Sequence, residues 1–329
     1  MTDFKKLFSS FPSLRVGVIG DVMLDTYMWG KVDRISPEAP VPVVSLNKKE
    51  YRIGGAGNVA WNCQSLGARV SILSVTGNDT EADLLTDLFE TNQIDTSYLV
   101  KSVYRTTTSK TRIISRNQQM MRLDAEITDD LNEIEEDKLF NSVSDFISKE
   151  DPNIIIFEDY DKGVLTPSLI KKVIELCKES GVLTAVDPKR KNFFNYKEVD
   201  IFKPNLKEVK EALNLLLVDP GKVDLEQIHH SLHKELSHAI SFITLSEKGV
   251  FYQEKEKATI IPSHLRNIAD VSGAGDTVIA VASLVYAATR NVHLMAEMAN
   301  IAGGLVCEEV GTVSVSRDKL LAECELLLS

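Results

Sequence analysis

From residue 154 onward the chain alternates short apolar runs with helical patterns, and that rhythm restricts its fold more than any other feature. "NIIIFEDY", "VLTAVDP", "VDIFKPN" and "AISFITLS" read as strands. "PSLIKKVIELCKESG", "LKEVKEALNLL" and "LEQIHHSLHKEL" read as helices between them, "GVFYQEKEKATIIPSHL" as a hairpin, and three helices close the chain. Apolar strands separated by helices predict a mostly parallel sheet covered on both faces, an α/β fold. The first half supplies more of the same: "RVGVIGD" as a buried strand ending at Asp21, "NVAWNCQSLG" as a helix closed by Gly67, "RVSILSV" as a strand, and "EADLLTDLFETNQ" as a helix.

Two stretches break the rhythm. "VPVVSL" has strand composition, but Pro40 and Pro42 push it to an edge or out of the main sheet. Thr106–Asp124 reads as two strands around a polar turn at Arg116–Gln118. Segments 26–48 and 100–124 are therefore expected to form a small β lid beside one domain spanning residues 1–329. No repeat or linker divides that length.

The net charge of −11 leaves no basic excess for a nucleic-acid or anionic membrane surface. No apolar run is long enough to span a bilayer, and "MTDFKKLFSSFPSLR" lacks a signal-peptide core, so a cytoplasmic protein is expected. Cys63, Cys177, Cys307 and Cys324 are too scattered for a zinc or redox pair and read as buried thiols. His229, His230 and His233 sit in a polar helix and are expected at the surface.

"DVSGAGDTVIA" places Asp276 at the mouth of an apolar helix, behind Gly273, Ala274 and Gly275. The first N–H groups of a helix lack internal partners, and small residues let an anion approach them. A carboxylate beside such a cradle can take a hydroxyl proton while the cradle holds a phosphoryl group. The helix end is expected to keep it ionised. The alternative is an Asp N-cap above a glycine turn.

"IGGAGN" formally fits a dinucleotide fingerprint through Gly55, Gly57 and Ala60. "NKKEYR" is expected to separate those glycines from their strand, so close backbone approach to a polar ligand, with Asn58 beside it, or a plain helix N-terminal turn, is the better reading. Asp21 and Asp25 follow a strand's carboxyl end and suit sugar hydroxyls or turn caps. Asn205 and Glu208 stand one helical turn apart, to orient Mg²⁺-bound water or to cap a helix. Lys162 and Lys189 also follow strands and could face phosphates or simply be solvated.

Together these segments resemble the ribokinase-like (PfkB) family of carbohydrate kinases over essentially the whole chain. The resemblance implies the ribokinase-like α/β fold with its β-sheet lid, and ATP and Mg²⁺ as cofactors. It makes Asp276 the catalytic base, and Gly273, Ala274 and Gly275 the anion hole. "GGAGN" corresponds to the family's sugar signature (Gly54, Gly55, Asn58), and "GDVMLD" to its first-strand sugar contacts (Asp21, Asp25). "PNLKE" is similar to the N-x-x-E element (Asn205, Glu208), with Glu208 reaching the metal through water. Lys189 joins the nucleotide contacts, as do Thr244, Ser246 and Gly249 of "TLSEKG", and Asn300 falls where adenine contacts are expected. Some members use K⁺, which would lie near Asp270. Pairing of lid strands implies a homodimer.

"DVMLDTYMWGKVDRISPEAPVPVV", "TTTSKTRIISRNQQMMRLD" and "DYDKG" resemble one branch, the D-glycero-β-D-manno-heptose 7-phosphate kinases. The implied reaction places phosphate on the anomeric O1, on the route to ADP-heptose and lipopolysaccharide. Some organisms fuse this kinase to a nucleotidyltransferase, whereas a chain ending at Ser329 is expected to be the stand-alone form. A sugar already bearing phosphate calls for cations, and Arg34, Lys110, Arg112 and Arg122 lie in the lid segments. Two residues depart from the branch: Glu158 replaces a small polar residue, to be paired by Lys162 or a metal, and Lys203 replaces a threonine. The competing readings are a kinase for fructose 6-phosphate, ribose or a nucleoside, a dinucleotide-dependent oxidoreductase, and an inactive sugar-binding regulator.

Overall fold

The computed structural model describes residues 2–116 and 118–328. Helix α1 (Phe4–Ser10) leads into β1 (Arg15–Gly20), the long strands β2 (Val22–Ile35) and β3 (Pro42–Gly55), and helix α2 (Ala56–Ser65). Next come β4 (Arg69–Leu73), β5 (Val75–Gly77), α3 (Thr80–Thr91), β6 (Val100–Ser102), β7 (Ser109–Ser115), β8 (Gln118–Ala125) and α4 (Glu133–Glu150). The second half runs β9 (Ile154–Glu158), α5 (Pro167–Ser180), β10 (Leu183–Asp187), β11 (Ile201–Phe202), α6 (Leu206–Ala212), α7 (Lys222–Leu236) and β12 (Ile240–Thr244). The hairpin β13 (Val250–Glu254) and β14 (Lys257–Ile261) and the helices α8 (Ala274–Thr289), α9 (Val292–Val306) and α10 (Arg317–Leu327) complete it.

The main sheet has the order β14-β13-β12-β11-β10-β9-β1-β4, parallel from β4 to β12 and antiparallel in the closing hairpin. Its inner strands are mostly apolar and buried without alternation because both faces are covered. In β9, Ile154 and Ile156 pack with α2, α8 and α9, while Ile155 and Phe157 pack with α4, α5 and α7. From β1 the chain passes to β4 on one side and later to β9 on the other. That change of direction opens a crevice at the carboxyl ends of the strands, the usual ligand position in such sheets.

The lid is a second sheet, ordered β3-β2-β7-β8. It grows directly out of that crevice: β2 starts two residues after β1 ends, and β3 returns at Gly54-Gly55. One expectation is corrected here. "NKKEYR" does not end the strand, because β3 runs from Pro42 into the glycines, paired with β2 apart from two irregularities, at Asn47 and at Asp33. The cross-strand bonds of a long hairpin outweigh the polar composition of this stretch. The fingerprint fails instead because β3 is an edge strand of the lid. The turn expected at Arg116–Gln118 includes Asn117, which lies outside the described residues. All four cysteines are buried free thiols, and among the described residues no helix is long and apolar enough to cross a membrane.

His229 is also corrected: it is buried, with Nδ1 2.8 Å from the Ser241 hydroxyl, while His238 Nε2 lies 2.6 Å from the same oxygen. Burial, reinforced by neighbouring histidines, pushes His229 down to about 4 and His238 to about 3. Both therefore stay neutral in the folded chain while the unfolded chain protonates them below about pH 6.5. Stability is lost as pH falls from there, at about 1.4 kcal/mol per pH unit for each histidine. Denaturant unfolding at pH 6.5 and pH 5 should thus differ by about 3–4 kcal/mol from this pair. His238→Gln, neutral at both pH values, should remove about half of the difference. An unchanged pH dependence in that variant rules the explanation out.

Candidate active site

Gly273 is the N-cap of α8, and its φ of +79° is reached easily only by glycine. Asp276 is the third helical residue and caps nothing, so the N-cap alternative is excluded. Its buried carboxylate is held from two sides. Asn58 Nδ2 on α2 donates to Oδ2 at 2.7 Å, and the Tyr160 hydroxyl donates to Oδ1 at 2.8 Å. Burial raises its pKa, opposed by those two hydrogen bonds. A Cβ on Gly273 would stand 2.7 Å from Asn58 Nδ2, so the two glycine segments do converge.

Asn58 is fully buried and spends its amide on Asp276, so it positions that carboxylate instead of facing a ligand as expected. Asn62, Thr277 and Val315 extend the bracket. Gly55 takes φ +60°, and any side chain there would collide with the Asp21 carbonyl.

Asp21 requires a second correction. It is 1% exposed, and it accepts the backbone N–H groups of Tyr160 (2.8 Å), Lys162 (3.2 Å) and Val164 (3.1 Å). Burial and the adjacent Asp159 push it up to about 6 despite those bonds. It anchors the 160–164 turn and offers no face to a sugar.

Asp25 and Gly54 do meet at the lid base, where a Cβ on Gly54 would touch Asp25 Oδ2 at 2.8 Å. Arg112 crosses from β7 to Asp25 Oδ1 at 2.6 Å and lies 5.1 Å over the Tyr27 ring, which Arg52 covers from 4.7 Å. Lys110 lies near Asp124 (3.5 Å) and Glu126 (3.7 Å). Lys162 bonds Glu126 at 2.8 Å, which puts it at the lid base and not beside Glu158. Arg34 is not brought to the site. It stands nine residues past Asp25 on the same strand, about 30 Å away along it. Arg122 pairs with Asp124 on the exposed strand β8.

The floor of the crevice is charged. Lys203 Nζ, 2% exposed, meets Asp187 Oδ2 at 2.6 Å, and Lys189 meets Asp187 at 3.4 Å and Glu208 at 2.7 Å. A Cβ on Gly275 would lie 3.5 Å from Asp187 Oδ2 and 3.7 Å from Lys203 Nζ, so this cluster lies under the start of α8. Burial disfavours charge on Lys189, but Asp187, Glu208 and Glu158 outweigh it and hold its pKa above the usual value. Glu158 is fully buried, and neither carboxyl oxygen has a hydrogen-bond partner among the described residues. Burial with Asp187 and Asp276 raises its pKa well above the carboxylate range. The expected pairing with Lys162 is absent.

On the nucleotide side, Asn205 and Glu208 form a reciprocal capping box at the start of α6 (2.8 and 2.9 Å), and Thr244 bridges to Asn205. Gly249 closes the turn that starts at Ser246. Asn300 donates to the Pro262 carbonyl at 2.8 Å, bracing α9. Asp187 and Tyr160 were not singled out from sequence. Asp187 carried the same signal as Asp21, an acid at a strand's carboxyl end.

A carboxylate, a helix N-terminus and paired cations in one crevice can bind a phosphoryl group and take a hydroxyl proton. The chain matches the model of the pfkB family carbohydrate kinases over residues 13–319. It is 39% identical over 303 residues to the bifunctional protein HldE of Aliarcobacter butzleri, covering 92% of this chain and 63% of that protein. Against the bifunctional protein HldE of Geobacter sulfurreducens it is 38% identical over 313 residues, covering 95% and 63%. The chain thus spans less than two thirds of the length of these relatives. Phosphofructokinase-2 from Escherichia coli, solved with substrates and products, superposes with a TM-score of 0.79 at 17% identity, covering 96% of this chain and 100% of that one. Arabidopsis thaliana ribokinase, solved with ribose and ATP, gives 0.71 at 16%, covering 94% and 98%. These likenesses show a ribokinase-like fold, and with the family match the chain belongs to the pfkB family of carbohydrate kinases, phosphotransferases that act on an alcohol group.

Proposed function

We propose that this kinase uses ATP to phosphorylate O1 of D-glycero-β-D-manno-heptose 7-phosphate, giving the 1,7-bisphosphate on the route to ADP-heptose. The observation that carries the sugar-phosphate reading is the lid base. Arg112 is fixed on Asp25 beside Gly54, with Lys110 and Lys162 next to it. Those cations suit an acceptor that already bears a phosphate. The likeness to bifunctional relatives agrees with a kinase that is elsewhere fused to a nucleotidyltransferase.

In this reading Asp276 takes the proton from the anomeric hydroxyl. The N–H groups at Gly273–Asp276 receive the transferring phosphoryl, Ala274 giving up its 3.3 Å bond to the Val271 carbonyl, and the lid closes to exclude water. Mg²⁺ fits the floor of the crevice. The carboxylates of Asp187 and Glu208 line that floor, and oxygen donors of this kind suit Mg²⁺ held through its waters. Glu208, with both oxygens already engaged, would hold it through water. Bound there, Mg²⁺ neutralises phosphate charge. Asp270, which accepts the Gly311 backbone N–H at 2.9 Å, would lie near a K⁺ ion if the enzyme uses one.

Phosphate transfer with heptose 7-phosphate, fructose 6-phosphate and ribose tests the substrate. Heptose 7-phosphate should lead in kcat/KM by about a hundredfold or more. Arg112→Met should raise its KM about 10- to 100-fold with a smaller change in kcat. Faster turnover of fructose 6-phosphate would overturn the heptose assignment.

Exposed Ile35, Val41 and Leu46 on or beside β2 and β3, with Met120, Met121 and Leu123 on β8, support a homodimer joined through the lids. Sedimentation should give a dimer at micromolar concentration, and Leu46→Glu with Met121→Glu should give a monomer. A wild-type monomer rejects the proposed pairing.

A further inference from the structure

The turn after β9 is strung on one buried carboxylate. Asp21 takes the backbone N–H groups of Tyr160 and Lys162 on Oδ2 and of Val164 on Oδ1, which fixes the turn in three places. From that turn the Tyr160 side chain reaches across the crevice, and its hydroxyl donates to Asp276 Oδ1 at 2.8 Å. Lys189 Nζ lies 5.6 Å over the ring. Asn58 holds the other oxygen of Asp276. The proposed base is therefore bracketed from α2 on one side and from β1, through the 160–164 turn, on the other.

We propose that Tyr160 is a positioning residue for the Asp276 carboxylate, and that Asp21 acts through the turn to keep it in place. The inference rests on the reading of Asp276 as base, and it holds for any sugar acceptor. A hydroxyl that donates to a carboxylate stabilises the ionised form, the form able to accept a proton, and also restricts its rotation. The charged or titratable groups around Asp276 are Tyr160 itself, Glu158 at the end of β9, Asp187 at the end of β10 and Lys203 after β11. Asn58 of α2 carries no charge. Of these, Tyr160 is the titratable group that bonds the carboxylate directly.

The test is the pH dependence of kcat/KM for the best sugar substrate, in which the acid limb reports ionisation of the base in the free enzyme. Tyr160→Phe keeps the buried ring and loses only the donor. Its acid limb should move up by about one pH unit, giving roughly tenfold lower kcat/KM on the limb, with the alkaline plateau within about threefold of wild type. Asp21→Asn turns an amide donor against the N–H groups of the turn and should move the limb the same way. The double variant should move it no further than Tyr160→Phe alone, because Asp21 works through that hydroxyl. An unmoved limb in Tyr160→Phe, or a lowered plateau without a limb shift, overturns the proposal even if Asp21→Asn does not fold. Additive limb shifts in the double variant overturn the part assigned to Asp21. Asp276→Asn separates the two levels. If it is inactive while the Tyr160→Phe limb stays put, the base stands and the bracket falls. If it is active, the base reading itself falls.

Discussion

Asp276→Asn should lower kcat by about 10²- to 10⁴-fold, the range that general-base catalysis contributes, while nucleotide and sugar-phosphate binding stay near wild type. The substitution is isosteric and the site can absorb it. Asn58 Nδ2 now donates to a carboxylate oxygen at 2.7 Å and would donate to the new amide oxygen instead. The Tyr160 hydroxyl, now a donor at 2.8 Å, can turn to accept from the new NH₂ group. Burial already disfavours charge at position 276, so a neutral amide relieves that cost and the variant should fold. What it loses is the capacity to hold a proton. Stopped assays with ATP and the best sugar measure the loss, and calorimetric titration with ADP checks that the nucleotide side is intact. A variant within tenfold of wild-type kcat would remove Asp276 from the chemistry and leave it a role in positioning.

The fold was legible where one physical signal acted alone. Strands buried on both faces show as mainly apolar runs, and β1, β9, β10 and β12 were each visible that way, with Thr184 and Ser241 the polar residues inside β10 and β12. Helix α4 was not read, although Asn132 and Glu135 carry a capping-box spacing that the structure realises. Its apolar stripe, Leu139, Val143, Phe146 and Ile147, is diluted by charges on the exposed faces. The length of β2 and β3 was hidden for a different reason. A hairpin with both faces partly wet shows little hydrophobic alternation, so cross-strand pairing sets its limits and composition does not.

The site was legible as a set of strand ends and glycine turns, and illegible as a set of contacts. Asp276 and the 54–58 glycines could be named separately, but only the fold shows that Asn58 reaches Asp276 across 218 residues. Asp21 and Asp25 look alike in sequence, each an acid near a strand's carboxyl end. One turns inward to anchor a loop, and the other turns to Arg112 at the lid. Arg34 and Arg112 likewise shared a lid and a charge, and distance along β2 divided them. Lys203 drew notice only as a departure from relatives. Its partner Asp187 lies 16 residues earlier, on the adjacent strand.

That partnership leads to the largest expected loss of stability. Asp187→Asn should destabilise the protein by about 3–5 kcal/mol at neutral pH, the usual cost of leaving one member of a buried ion pair uncompensated. Lys203 is 2% exposed and meets Asp187 at 2.6 Å, so its ammonium cannot regain water without opening the floor. Lys189 is less affected, since Glu208 still holds it at 2.7 Å. Burial raises the Asp187 pKa, but the two lysines more than offset this and hold it below the usual value. Its contribution is therefore present at neutral pH and is lost as pH falls through the folded-state pKa. Lys203→Met should cost less, because Asp187 keeps Lys189 and the methionine stem fills the same space. The double variant should recover most of the Asp187→Asn loss, since replacing a whole buried pair by uncharged groups is often close to neutral. Denaturant midpoints of the four proteins measure the cycle. If Asp187→Asn unfolds at the wild-type midpoint, the unpaired carboxyl of Glu158 has taken over Lys203, and the floor of the crevice can exchange one acid for the other.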